Sequence, residues 1–345
     1  MKKNFVFGCG VAWCGTTSLH RTLSIKQNYL HTGFQKESYY LTYALLHEDG
    51  IIDPFKTHEK FFFGKKRHNI EFLGSCKKIV IENGFFEDPG EKAYNTEDYL
   101  SVLKKFTPEQ INHFLTPPYT LDKYLKYIDL LSIYSQEKYQ SVGDFMNANY
   151  MNVFALEKTF DIFKKEIEKK FNFKFLVILR DPIRSLFSMI NSEYHDPRKL
   201  NSAVKKYESA SSFLLDNLLG ERLYLNNYAN FITKIQNKYG KESIHYVIME
   251  DFFSDNNSQE VSKLAKFLDT KIEDVYPCCF VPDKGINAPK IPHLKDQWNS
   301  DHEVLTPEFY NAIRNQKHSI QCYSDFEKLH GSLPADWGRP IDYGY

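Results

Sequence analysis

The sequence predicts an α/β protein of three layers, in which a mostly parallel sheet carries helices on both faces. Two observations support this fold class. Short apolar segments alternate with segments of helical periodicity along the chain. Residues 173–179 (FKFLVIL) are apolar almost without interruption, which is typical of a strand buried on both faces of a parallel sheet. Since ligands of such sheets bind at the carboxyl ends of strands, the loops after Phe7, Leu179 and Met249 are the candidate site.

Each element follows from a local pattern of apolar residues and of turn residues. Apolar runs predict the strands, a proline at the first helical turn predicts the helix that begins at Pro182, and Gly240 ends another helix. The predicted strands are residues 4–8, 78–82, 173–179 and 243–249. The predicted helices are residues 15–23, 36–47, 155–171, 221–239 and 258–268, with helical patterns broken by prolines in 96–131 and a mostly helical segment 307–330.

The composition excludes several broad classes of protein. The 345 residues include 44 Lys plus Arg and 44 Asp plus Glu, and this zero balance argues against a nucleic-acid-binding protein. The six cysteines lack metal-ligand spacing, so we expect reduced thiols, no metal and a cytoplasmic protein. No run of about 18 apolar residues predicts a membrane span. We expect one domain over residues 1–345, with a largely helical, aromatic-rich insertion at about 48–141 that shapes a binding site.

The loop after the first strand has the spacing of a phosphate-binding loop. Gly10 and Gly15 are separated by four residues, directly after a strand and before a helix. Such a loop points consecutive backbone N–H groups at one anion, and the hydroxyls of Thr16, Thr17 and Ser18 add further donors. A nucleoside triphosphatase or kinase would carry lysine where Thr16 stands, and no strand ending in a magnesium-binding aspartate is evident. The alternative is a glycine-rich turn that merely joins strand to helix.

A second candidate anion site follows the strand 173–179. Arg180 lies at the carboxyl end of that strand, and Ser188 lies about two turns into the helix begun by Pro182. A guanidinium fork and a hydroxyl suit a phosphate dianion. In the alternative interpretation, Arg180 pairs with a nearby carboxylate and Ser188 lies on the helix surface.

These two loops, in this order and about 165 residues apart, resemble those of the sulfotransferases that use 3′-phosphoadenosine-5′-phosphosulfate (PAPS). The segment 7–23 (FGCGVAWCGTTSLHRTL) is similar to their 5′-phosphosulfate loop, and R-x-P-x-x-x-x-x-S is similar to their 3′-phosphate motif. Residues 283–288 (DKGINA) look like their late loop over the 3′-phosphate, with Pro289 replacing a serine. The resemblance implies a P-loop-like sulfotransferase fold that binds PAPS and releases adenosine 3′,5′-bisphosphate (PAP). The residues implied in donor binding are Trp13, Cys14, Gly15, Thr16, Thr17, Ser18, Arg180, Ser188, Lys284, Gly285 and Asn287.

The same resemblance supplies the catalytic candidates. Glu37, in residues 32–41 (TGFQKESYYL), looks like the catalytic glutamate of carbohydrate-type members, and Lys36 beside it would contact donor or acceptor. Asp144, in a segment that also resembles one of the family's, is the second candidate base. His20 is a weaker candidate from its position alone, one helical turn past Thr16 and Thr17. The alternatives are that Glu37 caps or pairs at a helix start, that Lys36 is a surface lysine, and that His20 is structural.

Trp13 departs from the family pattern, because most relatives carry Lys or Arg there to contact the leaving phosphate. Loss of one such contact typically costs about 10²–10³ in rate. Another cation, such as Lys36 or Lys284, could substitute, or Trp13 could pack on the acceptor. The alternative function is therefore a catalytically weak PAPS- or PAP-binding protein. The expected acceptor is a small molecule or a carbohydrate. Among these, a sugar or a glycolipid is the acceptor that the resemblance favours. Most aromatic residues of the insertion, such as Tyr119, Tyr124 and Tyr127, are expected in the core.

Overall fold

The centre of the protein is a five-stranded, all-parallel sheet with strand order β2-β3-β1-β4-β5. A computed structural model describes residues 2–10, 14–33, 40–51, 96–115, 118–145, 153, 156–185, 206, 227–254, 256–277, 307–335 and 337–338. The strands are β1 (Asn4–Gly10), β2 (Leu30–His31), β3 (Ser141–Phe145), β4 (Asn172–Leu179) and β5 (Ile244–Ile248). The predicted fold class is thus confirmed.

Eleven α-helices are present within the described ranges. They are α1 (Thr16–Arg21), α2 (Tyr40–Glu48), α3 (Thr96–Leu103), α4 (Pro108–Leu115), α5 (Leu121–Ser135), α6 (Glu157–Glu168), α7 (Tyr228–Tyr239), α8 (Met249–Phe252), α9 (Ser258–Leu268), α10 (Pro307–Arg314) and α11 (Lys317–His330). A π-helical turn, Thr22–Lys26, continues α1, and residues 182–185 form a helical turn after β4.

One face of the sheet is covered mainly by aromatic contacts to α6. Because side chains alternate along a strand, Phe5 and Phe7 of β1 share a face. Phe7 lies 5.0 Å from Phe160 and Phe5 lies 5.8 Å from Phe163, measured between ring centroids. On the same face Tyr239 of α7 stacks on Phe175 of β4 at 5.5 Å. Edge-to-face and offset pairs of this kind add about 0.5–1.5 kcal/mol each beyond their burial.

The opposite face is covered by α1 and α9. Ile178 of β4 packs close to Gly10 and Gly15, which brings the start of α1 onto this face. Phe267 of α9 stacks on His245 of β5, with ring centroids 5.3 Å apart. Helices therefore cover both faces, and the sheet is the middle of three layers.

The predicted elements are largely present, with two strands added. The prediction placed no strand at β2 or β3, because β2 has two residues and β3 contains Gly143 and Asp144 in place of an apolar run. The predicted helix 15–23 is shorter, since α1 gives way to the π-helical turn at Thr22. The predicted strand 78–82 lies outside the described residues. The helical patterns predicted in 96–131 correspond to the described helices α3, α4 and α5, and the division into one domain with an insertion stays a prediction.

Candidate functional site

The loops after β1 and β4 meet at one edge of the sheet. Gly10, the last residue of β1, pairs with Ile178 of β4, so Arg180 begins only two residues beyond that pair. Leu179 in turn pairs with Ile248, which places Arg180 beside the start of α8. The carboxyl ends of parallel strands share an edge, and this edge is where α/β sheets bind ligands.

Two glycines let the first loop pack against the sheet. Gly15 has a φ of 84°, in the left-handed region that glycine adopts without strain. A β-carbon at Gly15 would lie 3.0 Å from the sulfur of Met249. A β-carbon at Gly10 would lie 2.8 Å from the carbonyl oxygen of Ile178 and 2.9 Å from Cγ2 of Thr16. Close packing, as well as the turn itself, therefore requires the glycine pair that the sequence singled out.

The hydroxyl residues after Gly15 differ in their exposure. Thr16 is buried against Gly10, whereas Thr17 and Ser18 are partly exposed in the first turn of α1. The carbonyl of Gly15 accepts the N–H of Leu19 at 3.0 Å, which closes the first turn of the helix. Thr17 and Ser18 are thus the hydroxyl residues of this loop that are open to solvent and to an anion.

Cys14 connects the first loop to the second. Its sulfur lies 3.3 Å from the hydroxyl oxygen of Ser185 and 3.6 Å from that of Tyr228, both within hydrogen-bonding distance. The side chain is fully buried, and burial raises the pKa of its thiol. The positive charge of Arg180 lowers the pKa of this thiol, and the negative charge of Glu250 raises it. Both charges therefore lie near Cys14. Burial and these two contacts favour a structural role for Cys14 over that of a nucleophile.

Asp181 fixes the backbone that follows Arg180. Its Oδ1 accepts the N–H groups of Ile183 and Arg184, both at 3.0 Å. This is the geometry of an N-cap, and Pro182 occupies the first helical position. The carboxylate thereby sets the direction in which the chain leaves β4.

The other oxygen of Asp181 binds the segment that contains α10 and α11. Oδ2 accepts the hydroxyl of Tyr310 at 3.0 Å, the hydroxyl of Tyr323 at 2.9 Å and the N–H of Gly338 at 2.9 Å. Asp181 is completely buried, and the pKa of both tyrosines is raised by burial and by this carboxylate. Five donors thus stabilise one buried charge, as such a charge requires.

Arg180 lies close to a carboxylate from α8, the helix that follows the neighbouring strand β5. The pKa of Glu250 is raised by burial, and Arg180 is among the groups that lower it. Glu250 accepts the indole N–H of Trp337 at 3.2 Å and the backbone N–H of Asp181 at 3.3 Å. A carboxylate of the kind considered as an alternative partner of Arg180 therefore lies near it, at the same edge of the sheet as the glycine loop after β1.

Asp144 and His20 both lie in buried hydrogen-bond networks. Asp144 is on β3, and its carboxylate accepts the hydroxyl of Tyr124 at 2.8 Å. The ring of His20 is fully buried and hydrogen-bonds through Nε2 to the hydroxyl of Thr32 at 2.8 Å, which in turn lies 3.0 Å from the hydroxyl of Tyr99. These contacts favour a structural role for both residues over that of a base open to an acceptor.

Other candidates fall on chain that the structure does not describe. These are Trp13, Lys36, Glu37, Ser188, Lys284, Gly285 and Asn287, whose roles stay predictions. The aromatic residues of the insertion are described in part. Tyr119, Tyr124 and Tyr127 are buried and pack with Tyr40, so their expected place in the core is confirmed.

The sequence analysis assigned no role to Asp181, Glu250, Tyr228 and Trp337. Asp181 and Glu250 each carry a local signal in the sequence. An aspartate that follows a predicted strand and precedes a proline is typical of a helix cap, and Glu250 directly follows the predicted strand 243–249. Tyr228 and Trp337 carry none, because the first reaches the site from α7 and the second from a turn after α11, both far from the two loops along the chain.

Across the described ranges, no cluster of three or more His, Cys, Asp or Glu could ligate a metal ion. In the same ranges, every helix is too short or too polar to cross a membrane.

Two solved structures are similar to the chain over nearly its whole length. One is a sulfotransferase from Alicyclobacillus acidocaldarius, with 15% identity and a TM-score of 0.45, covering 98% of this chain and 100% of that one. The other is the sulfotransferase domain of the Synechococcus PCC 7002 olefin synthase, with 14% identity and a TM-score of 0.43, covering 97% and 98%. Both are sulfotransferases, the class that the sequence motifs resemble. No family model and no curated protein matches the chain.

Proposed function

We propose that the chain is a sulfotransferase that moves a sulfuryl group from PAPS to a hydroxyl or amine of a small-molecule or carbohydrate acceptor. The observation that carries the proposal is the meeting of two candidate anion-binding elements at one sheet edge. The glycine loop that ends at Gly15 and the strand end that carries Arg180 adjoin through the pairing of Gly10 with Ile178. A donor with a 5′-phosphosulfate and a 3′-phosphate needs two such elements.

In this proposal the first loop holds the 5′-phosphosulfate through backbone N–H groups and the hydroxyls of Thr17 and Ser18. Arg180 binds the 3′-phosphate with Ser188, and Lys284, Gly285 and Asn287 cover it. The acceptor oxygen forms a bond to sulfur while the bond from sulfur to the bridging phosphate oxygen breaks. The acceptor proton passes to Glu37, and PAP leaves with the electron pair of the broken bond. No step requires a metal ion.

Donor binding is the first test. We expect calorimetric titration with PAP, without magnesium, to show tight binding, and titration with ATP to show weak binding. Arg180→Ala weakens PAP binding, because a charge-assisted hydrogen bond contributes about 1.5–3 kcal/mol. Lys241→Ala is the matched control, since it removes a positive charge at the opposite edge of the sheet, before β5. Absence of PAP binding to the unmodified chain would overturn the assignment and leave the α/β fold as it is.

Catalysis is tested separately from binding. Glu37→Ala is expected to leave PAP binding unchanged and to abolish transfer from PAPS to a panel of sugar, glycolipid and phenol acceptors. Transfer at the normal rate in Glu37→Ala would remove this residue as the base. Trp13 favours a second candidate function, a PAPS- or PAP-binding protein with weak transfer. Tight PAP binding with no transfer, combined with a gain of transfer in Trp13→Lys, would support that second function.

A further inference from the structure

Glu250 lies in α8, two residues beyond β5, close to the point where the chain leaves β4 at Arg180. Leu179 and Ile248 are paired across the two strands, Arg180 follows the first directly, and Glu250 follows the second after Met249. The two side chains interact electrostatically, and each also affects the pKa of the Cys14 thiol in the first loop. A carboxylate beside an anion-binding arginine is unfavourable for the anion itself, so its presence calls for another role.

The carboxylate of Glu250 is held by two donors from different parts of the chain. Oε1 accepts the N–H of Asp181 at 3.3 Å, and Oε2 accepts the indole N–H of Trp337 at 3.2 Å. One donor is thus the residue directly after Arg180, and the other comes from the segment after α11. Both oxygens are engaged, which fixes the plane of the carboxylate.

Trp337 is itself buried among aromatic rings. It is 3% exposed, and its ring lies 4.6 Å from that of Phe326 and 6.0 Å from that of Tyr228, between centroids. The hydroxyl of Tyr228 contacts the sulfur of Cys14. A continuous set of contacts therefore runs from α11 through Trp337 and Glu250 to the edge that carries both loops.

We propose that Glu250 and Trp337 are positioning residues for Arg180, which orient its guanidinium toward the 3′-phosphate of the donor. The inference rests on the proposed function. A free arginine side chain loses rotamer entropy when it is immobilised, which opposes binding. A fixed carboxylate that orders the guanidinium before the donor arrives removes part of this cost from binding. Glu250 and Trp337 contact no donor atom in this scheme and act only through Arg180.

A double-mutant cycle with calorimetric PAP binding tests the proposal on the full chain. We expect Glu250→Gln, which keeps the shape of the side chain, to weaken PAP binding about tenfold, within the range of couplings for residues in contact. In the Arg180→Ala background the same substitution is expected to change affinity less than about twofold, since the group through which it acts is gone. The matched control is Glu242→Gln, an exposed glutamate before β5, which removes an equal charge at the other edge of the sheet.

A ligand without the 3′-phosphate separates positioning from general damage. Adenosine 5′-phosphate is expected to bind Glu250→Gln and the unmodified chain equally. Trp337→Phe keeps an aromatic ring and all charges, and provides a second variant should Glu250→Gln fail to fold. We expect it to weaken PAP binding about threefold, and only when Arg180 is present.

Three results would overturn the inference. PAP affinity in Glu250→Gln could be unchanged or increased, the loss could be equal with and without Arg180, or adenosine 5′-phosphate binding could fall by the same factor. Each of these leaves the proposed function standing, because the unmodified chain still binds PAP. If the unmodified chain does not bind PAP, the proposed function fails and this inference fails with it.

Discussion

The loop after β1 and the loop after β4 are held in place in different ways. The first depends on the absence of side chains, because Gly10 and Gly15 leave no room for a β-carbon against Ile178 and Met249. The second depends on a carboxylate, because Asp181 accepts five hydrogen bonds, three of them from residues 310–338. One loop is thus shaped by its own sequence, and the other by a segment more than a hundred residues away.

The comparison shows why one half of the site is easier to predict than the other. A glycine pair at fixed spacing is visible in six consecutive residues, 10–15. The sequence around Asp181 predicts only a helix cap. No pattern near it predicts the contacts with Tyr310, Tyr323 and Gly338. The following predictions test this difference, from the largest expected effect to the smallest.

Asp181→Asn is expected to have the largest effect. An amide presents a donor where the carboxylate accepts, so either the cap or the contacts to Tyr310 and Tyr323 lose their acceptor. With charge-assisted bonds contributing about 1.5–3 kcal/mol each, we expect the free energy of unfolding to fall by about 3–5 kcal/mol. Urea unfolding measures this loss. The control is Asp122→Asn, which breaks an exposed ion pair with Lys126 and is expected to lower the free energy of unfolding by less than about 1 kcal/mol. An unfolding curve like that of the unmodified chain would show that the long-range contacts do not stabilise the second loop.

Gly15→Ala is the corresponding test of the first loop. The added methyl group would force a non-glycine residue to a φ of 84° and place a β-carbon 3.0 Å from the Met249 sulfur. We expect a loss of about 2 kcal/mol in unfolding free energy, together with weaker PAP binding. Gly331→Ala is a close control, since Gly331 has a φ of 93° but open space around the position of its β-carbon. It should show the backbone strain of about 1 kcal/mol and no change in PAP binding. Equal effects of both substitutions on PAP binding would contradict a specific role for packing at Gly15.

Tyr323→Phe removes one donor from Asp181 and leaves the others. The hydroxyl bonds a buried charge, so we expect a loss of about 1.5 kcal/mol in unfolding free energy. Tyr246→Phe makes the same deletion at a hydroxyl that hydrogen-bonds to His330, and is expected to cost about 0.5–1 kcal/mol. If the two losses are equal, the charge of Asp181 does not strengthen its contacts with the helices α10 and α11.

The contact between Cys14 and Ser185 is the direct link between the two loops, and it is expected to be weak. A thiol is a poor hydrogen-bond donor, so a cycle of Cys14→Ala and Ser185→Ala should give a coupling energy below about 1 kcal/mol. Thermal or urea unfolding of the four proteins measures it. A coupling above about 2 kcal/mol would mean that the loops support each other directly and not mainly through the sheet and the segment after residue 307.

Much of the fold followed from local patterns, and the missed parts have physical causes. The run 173–179 predicted β4, and the helix 258–268 has the predicted bounds. β3 was missed because Gly143 and Asp144 interrupt its apolar pattern. The structure explains both residues: the glycine fits against the backbone of β1, and the carboxylate is bonded by Tyr124. Of the site, the glycine loop and Arg180 were predicted, whereas Glu250 and Trp337 depend on tertiary contacts that no short pattern contains.

The bonds to Asp181 also impose an order in time on the chain as it is synthesised. Gly338 follows Asp181 by 157 residues, which at about 5–20 residues per second takes a ribosome about 8–30 s. During that interval β1 and β4 have been made, but the set of late donors to the carboxylate is incomplete until residue 338 is added. The nascent chain therefore holds Asp181 without all of its donors, and the loop that begins at Arg180 gains its full support only near the end of translation.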